Sequence, residues 1–314
     1  MKAVSRFRRV ARWARNLAYR APSRDSDSSG QALARLKTYG AKAAACGLDR
    51  LHLFLSFDCD TDLDFEAVMP LDAFLRERGI VPTYAVPGAQ LMRGRDIYAA
   101  IAASGREFMN HGGRAHAAWK VDQYVPITFY EKMASDDVIA DIEEGHRIVV
   151  DVTGQSPSGF RAPHFGCFQR DQDLGLIHRT IKRLGYSYSS TTVPDKALEN
   201  GPIYRADNVV EIPVFGSARH PHLILDTWTQ LTDRRCYALG ESYYELFAET
   251  IDVLTRNNIP ALLTWYGDPS HAWQQAPFMN AMDLIAKHAI PSLSGREVAS
   301  LCSDADASSV SATS

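Results

Sequence analysis

Three short clusters in this 314-residue sequence carry side chains able to do chemistry, and each follows an apolar run. The first is Asp58-Cys59-Asp60, at the end of LHLFLSF over 51–57. Two carboxylates this close can divide labour, one taking a proton while the other holds a cation. The same pair could instead stop a strand and cap the next helix. The second cluster is NHGGRAH, with His111 and His116. Two imidazoles and a carboxylate make a His2Asp metal set that leaves one position open to water. Their separation, across Gly112-Gly113, does not suit one helix face, so a loop must bring them round; two surface-loop histidines are the plain alternative. The third cluster is GFRAPHFG over 159–166. Arg161 in a cleft can pair bidentately with a carboxylate base and keep it ionised, or it can be a surface side chain in an ordinary turn stiffened by Pro163.

The elements that must position these residues alternate along the chain. Strand-like runs are 51–57, 80–86, 106–110, 158–162, 186–190, 208–214 and 260–266. Helix-like periodicity covers 31–45, 64–78, 95–104, 128–152, 171–184, 241–257 and 276–289, with Gly79, Gly105, Gly154 and Gly185 as C-terminal stops. The continuous apolar run before Asp58 fits a strand covered on both faces. Repeated strand–helix alternation predicts a parallel sheet or barrel whose site lies at the carboxyl ends of its strands. By strand alternation, Cys59 faces away from both acids and packs in the core.

A net charge of −3 carries no nucleic-acid signature. The charge is uneven, however. Residues 1–20 contain Lys2, Arg6, Arg8, Arg9, Arg12, Arg15 and Arg20 and no acid; without these seven, 27 basic residues face 37 acidic ones, a remainder of −10. Val4, Phe7, Val10, Ala14 and Leu17 fall on one side of a helix there and most of the arginines on the other, a basic amphipathic pattern suited to an anionic membrane surface or to the protein's own body. Residues 21–30 read as a linker, 31–302 as a single domain, and 303–314 as a disordered tail. No secretory apolar core follows the charges, and no run reaches the roughly 20 apolar residues of a membrane span. The five cysteines are scattered, without a CxxC pair. Together these features lead us to expect a cytoplasmic protein, peripheral on the inner face of the membrane.

The ordered trio Ser56-Phe57-Asp58-Cys59-Asp60, His111 to His116 and Arg161-Ala162-Pro163-His164 resembles the FDxD, HxxxH and RxPY motifs of the NodB-homology polysaccharide deacetylases, carbohydrate esterase family four. The resemblance spans about residues 50–290. It implies a deformed (β/α) barrel of α/β class holding one divalent metal, usually zinc, and hydrolysing an N-acetyl amide on a sugar. Carried over by position, Asp58 is the general base that takes a proton from the attacking water, with Arg161 tuning it. Asp60, His111 and His116 are the metal ligands.

Three departures accompany the resemblance. The histidine spacing is one residue longer than usual, His164 stands where the family has Tyr, and no His directly follows the last strand in Leu262–His271 (LLTWYGDPSH). His271, His164 or a protonated Asp268 is then left to protonate the leaving amine, and His271 is the assignment carried forward. Trp119, Tyr124, Trp228, Trp265, Tyr266 and Trp273 are candidates for a sugar groove, with core packing the alternative for each. The expected partner is an N-acetylated glycan of the envelope or surface, or its lipid-linked or nucleotide-linked precursor. The rival readings are a small-molecule amidohydrolase on the same fold and a carbohydrate-binding pseudoenzyme.

Overall fold

The computed structural model describes residues 29–302. The expected basic helix over 1–20 and the tail over 303–314 lie outside the described residues. Helix α1 (Ser29–Ala45) begins inside the segment read as linker, because Leu36, Tyr39 and Ala43 form a buried stripe that the turn from Ser29 extends.

In chain order the strands are β1 (Leu51–Asp58), β2 (Pro82–Val86), β3 (Glu107–Asn110), the pair β4 (Ala117–Lys120) and β5 (Gln123–Pro126), then β6 (Gly159–Phe160), β7 (Tyr188–Ser189), β8 (Tyr204–Ala206), β9 (Val209–Glu211), the pair β10 (Leu231–Asp233) and β11 (Ala238–Leu239), and β12 (Ala261–Gly267). Eight of them form one sheet in the order β12-β1-β2-β3-β6-β7-β9-β8, parallel throughout except for β8 against β9. The sheet curls without closing, which leaves β12 and β8 as its edges and makes the barrel a deformed, open one. The remaining two pairs are separate hairpins.

Around the sheet lie α2 (Asp64–Glu77), α3 (Gly88–Arg93), α4 (Arg95–Ala103), α5 (Ser135–Thr153), α6 (Asp171–Arg183), α7 (Pro194–Asn200), α8 (Ser242–Arg256), α9 (Pro269–Ala272) and α10 (Ala276–Lys287). The expected helix over 128–152 starts only at Ser135; before it the chain is extended around one 3-10 turn at Tyr130–Lys132. Short α3, α7 and α9 and both hairpins escape the sequence periodicity because none is long enough to show one. The four stop glycines, Gly79, Gly105, Gly154 and Gly185, all take positive φ as expected.

Strand β1 explains the direction of the site. Leu53, Leu55, Phe57 and Cys59 pack on the helix side with Leu71, Leu75 and Phe278. Phe54 points the other way, among Met109, Tyr188, Ile212 and Leu262. Asp58 and Asp60 share the parity of Phe54, so the strand that buries both faces also aims both acids into the barrel.

Candidate active site

The polar residues gather where the parallel strands end. Asp58 is the last residue of β1, His111 follows β3, Arg161 follows β6, Ser190 follows β7, and Asp268 follows β12. Arg161 is fully buried. Its Nη1 donates to Asp58 Oδ1 at 2.7 Å, while Nε and Nη2 donate to the carbonyl and hydroxyl of Ser190 at 3.1 and 3.0 Å. Its guanidinium carbon stands 4.9 Å from the Phe165 ring centre and 5.3 Å from that of Tyr266, so aromatic faces shield what the hydrogen bonds leave open. The sequence reading expected Arg161 to keep Asp58 ionised. Burial dominates instead and pushes the Asp58 carboxyl up to about 7; Arg161 opposes that rise, and Asp60 and Asp268 add to it.

Asp60, His111 and His116 converge as a second group, their ligating atoms all within 4.8 Å of one another. His111 Nε2 is 3.5 Å and His116 Nδ1 3.2 Å from Asp60 Oδ1. His111 Nδ1 lies 2.8 Å from the carbonyl oxygen of Arg161. A carbonyl only accepts, so Nδ1 carries the hydrogen and Nε2 presents a lone pair to the acids. Burial holds this imidazole well below its ordinary pKa, which favours the neutral form. His111 Nε2, both nitrogens of His116 and Asp60 Oδ1 are all buried without a hydrogen-bond partner. His111 Nε2 and Asp60 Oδ1, 3.5 Å apart, are then two acceptors facing one another, which repel unless a cation lies between them. The residues present therefore fit a divalent metal.

The loop between the histidines is held from helix α5. Asp141 Oδ1 accepts the amides of Gly113 and Arg114 at 3.2 and 2.9 Å, and Asp141 Oδ2 accepts the Tyr130 hydroxyl at 2.7 Å. Asn110 Oδ1 takes the Gly112 amide at 3.0 Å, and the amides of Gly88 and Ala89 at the start of α3 close on the carbonyls of Gly112 and Gly113. Gly112 sits at φ 77°, and a Cβ there would lie 2.4 Å from Asp141 Oδ2. These anchors turn the chain tightly enough for the rings of His111 and His116 to meet edge to face at 4.2 Å. The sequence reading missed Asp141. Its signal was present: a fully buried acid beside Val138 and Ile142 on the apolar face of α5.

The far side of the site is built around β12. His271 is buried, 4.2 Å from the ring of Tyr237 and 5.8 Å from that of Trp228. Its Nδ1 is 2.9 Å from Asp268 Oδ2, and burial depresses its pKa to about 4. Burial raises the Asp268 carboxyl well above its ordinary range, with Asp60 and Asp226 reinforcing the shift. The polar contact of His271 is thus with Asp268 and not with Asp58 or the histidines. Asp64, unnoticed in the sequence, ties the corner together: its carboxylate accepts Thr61 N, Thr61 Oγ1 and the Ser270 amide.

His164 follows Pro163 at φ 57°, its ring 4.7 Å from Phe129 and 5.9 Å from His116. Of the aromatic candidates, Trp265 leaves the list: it is fully buried, 3.8 Å from Phe247. Trp273 packs on Phe74. Tyr266 lies over Arg161 and donates to Asp226 at 2.6 Å, Trp228 carries the guanidinium of Arg234, and Trp119 meets Tyr124 edge to face across the β4–β5 hairpin.

Residues 47–188 match the family model described as Polysaccharide deacetylase. In fold the chain is similar to a protein described as a polysaccharide deacetylase from Mycobacterium smegmatis, at 17% identity over 83% of this chain and 92% of that one, TM-score 0.59. It is similar also to one so described from Pseudomonas aeruginosa PAO1, at 15% identity over 81% and 91%, TM-score 0.59. Puue allantoinase shares the fold at 15% identity over 81% and 90%, TM-score 0.57. No curated protein matches the chain in sequence.

Proposed function

The chain belongs, through residues 47–188, to the polysaccharide deacetylase family, and on that footing we propose that it removes N-acetyl groups from a sugar of an envelope or surface glycan or of its lipid-linked or nucleotide-linked precursor. The observation that carries the reading is the pairing of two groups: unpartnered buried ligand atoms on Asp60, His111 and His116, next to an Asp58 that burial has made a near-neutral base.

Asp60, His111 and His116 would hold one divalent metal, zinc by preference given two imidazoles and a carboxylate. When bound, such a metal supplies a Lewis acid that eases deprotonation of water and polarises the amide carbonyl. Asp58 accepts the proton of the attacking water, and Arg161 fixes the direction in which its carboxylate points. His111 is kept in the ligating tautomer by the Arg161 carbonyl. Asp268 and His271 hold one proton between them, mostly on Asp268, and donate it to the leaving amine; Asp58 then releases its proton to solvent water and the pair regains one from it. The basic segment over 1–20 brings the enzyme to the inner face of the membrane, where such precursors are assembled.

The test is acetate release from a panel of N-acetylated sugars and lipid-linked precursors, run with metal analysis. Wild-type protein should hold about one equivalent of Zn, Co or Ni. Asp58→Asn should keep the metal and lose about 10²–10⁴-fold in turnover, whereas Asp60→Ala should lose the metal. A robust activity indifferent to both substitutions would remove the assignment. Ring-opening of a cyclic ureide without acetate release would favour the small-molecule amidohydrolase, and a metal-free protein the pseudoenzyme.

A further inference from the structure

Eight large hydrophobic side chains are exposed among the described residues, and five of them, Leu63, Met92, Trp119, Val121 and Ile127, lie on three segments that touch one another. The Tyr124 hydroxyl of the β4–β5 hairpin meets the backbone of Asp62, Arg93 of α3 pairs with the Asp62 carboxylate, and Trp119 rests edge-on against Tyr124. The rim so formed adjoins the candidate site directly, since Leu63 lies three residues beyond Asp60 and β4 begins at the residue after His116.

Val121 is its most unusual member. It shares a two-residue hairpin turn with Asp122, at φ 49° and 64°. That turn suits Asn-Gly, and a β-branched residue in the left-handed region is strained. Val121 is also 83% exposed, so neither packing nor turn preference accounts for it. An apolar residue held under strain in water points to contact with something apolar outside the chain.

The composition of the rim identifies the occupant. A sugar platform joins aromatic faces to hydrogen-bonding side chains. Here apolar Leu63, Met92, Val121 and Ile127 outnumber the one exposed aromatic, and exposed cations flank them: Lys120 in the hairpin, with Arg93 and Arg114 beside it, half-exposed though each pairs with an acid, Asp62 and Asp141. Asp122, the acid at the tip, would keep the turn at headgroup depth. We propose that this rim seats on an anionic lipid surface, with Val121 and Trp119 at the headgroup–acyl boundary and the cations among the phosphates. The candidate site would then open toward the bilayer, and a substrate carried by a lipid anchor would reach it without leaving the membrane.

Vesicles of phosphatidylglycerol and phosphatidylcholine with brominated acyl chains test this on the full-length chain, with no dependence on turnover, so failure of the hydrolase reading would leave the result interpretable. In a Trp13→Phe background, which removes the tryptophan of the N-terminal segment, part of the remaining emission should be quenched, and adding Trp119→Phe should lose that part. Val121→Asn should bind the vesicles about fivefold more weakly, as expected for one exposed valine. Its Tm should stay level or rise, because Asn suits the turn. Quenching unchanged in Trp119→Phe, or vesicle affinity unchanged in Val121→Asn, would overturn the proposal. So would a loss of soluble oligosaccharide binding in Val121→Asn with vesicle binding intact, which would assign the rim to the glycan.

Discussion

The carbonyl oxygen of Arg161 accepts a hydrogen bond from His111 Nδ1 at 2.8 Å, while the guanidinium of the same arginine donates to Asp58. Through its backbone, one residue thus sets the tautomer of the imidazole proposed to hold the metal, and through its side chain the direction of the carboxylate proposed as base. Only the second role can be removed by substitution. Arg161→Gln should retain the metal, yet the Asp58 carboxyl, already raised by burial, should rise further once its cation is gone. A base ionises only above its pKa, so the acidic limb of the pH–kcat/KM profile should move up by roughly one pH unit or more. Asp58 would then be neutral at pH 7, so the loss of stability, read by denaturant unfolding, should grow as pH is raised toward its new pKa. An unmoved acidic limb would separate Asp58 from the rate.

Gly112→Ala should release the histidine loop. Its Cβ would enter the space of Asp141 Oδ2 and the Tyr130 hydroxyl at a backbone φ that alanine disfavours. Metal affinity should fall about 10–100-fold, as when other outer supports of a metal site are lost, and metal-buffered titration measures it. Asp141→Asn should cause a milder loss in the same direction.

His271→Asn and Asp268→Asn should both lower kcat with little effect on KM if, as proposed, the pair acts only when the amine departs. A basic limb present in the wild-type pH profile should be absent from Asp268→Asn. Two intact profiles would place the departing proton elsewhere, with His164 the next candidate.

Glu211 gives a stability prediction remote from the chemistry. Burial alone would raise its carboxyl, but His178 Nε2 at 3.0 Å and the amides of Thr191 and Thr192 outweigh burial and hold it below the ordinary range. A depressed folded-state pKa stabilises the protein above the unfolded value of about 4.3, and that stability fades as pH falls through the folded value. The Tm of the wild type should therefore fall below about pH 4.3, and Glu211→Gln should start from a lower Tm at pH 7 and lose less on acidification.

The N-terminal charge can be tested apart from the rim. Replacing Arg8, Arg9, Arg12, Arg15 and Arg20 by Gln should reduce binding to anionic vesicles by about 10³-fold or more, at about 1 kcal/mol per cation near the surface. Binding that survives in full, as seen by co-sedimentation, would rule out an electrostatic role for this segment.

Much of this site could be read before any coordinates, and the reason is local. A long apolar run with acids at its end announces β1, and the types and order of Asp58, Asp60, His111, His116 and Arg161 are legible because each sits at a strand end. Supports such as Asp64 and Ser190 were not, because their role exists only across elements distant in sequence, and Asp141 showed itself only as an acid on an apolar helix face. Trp265 and Trp273 show the converse: their type suggested a sugar platform, but burial decided for packing. Asp58 lies between these cases. Arg161 was foreseen as its partner, whereas the larger effect, desolvation, depends on a complete barrel and has no signature in the sequence.

The loop from His111 to His116 is gauged from helix α5, by the reach of Asp141 to two successive amides, and not from the histidines themselves. In this chain the extra residue between the two imidazoles is accommodated by that buried acid and by Gly112 in the left-handed region. Grafting this loop onto another barrel would accordingly require moving the helix acid along with the two histidines.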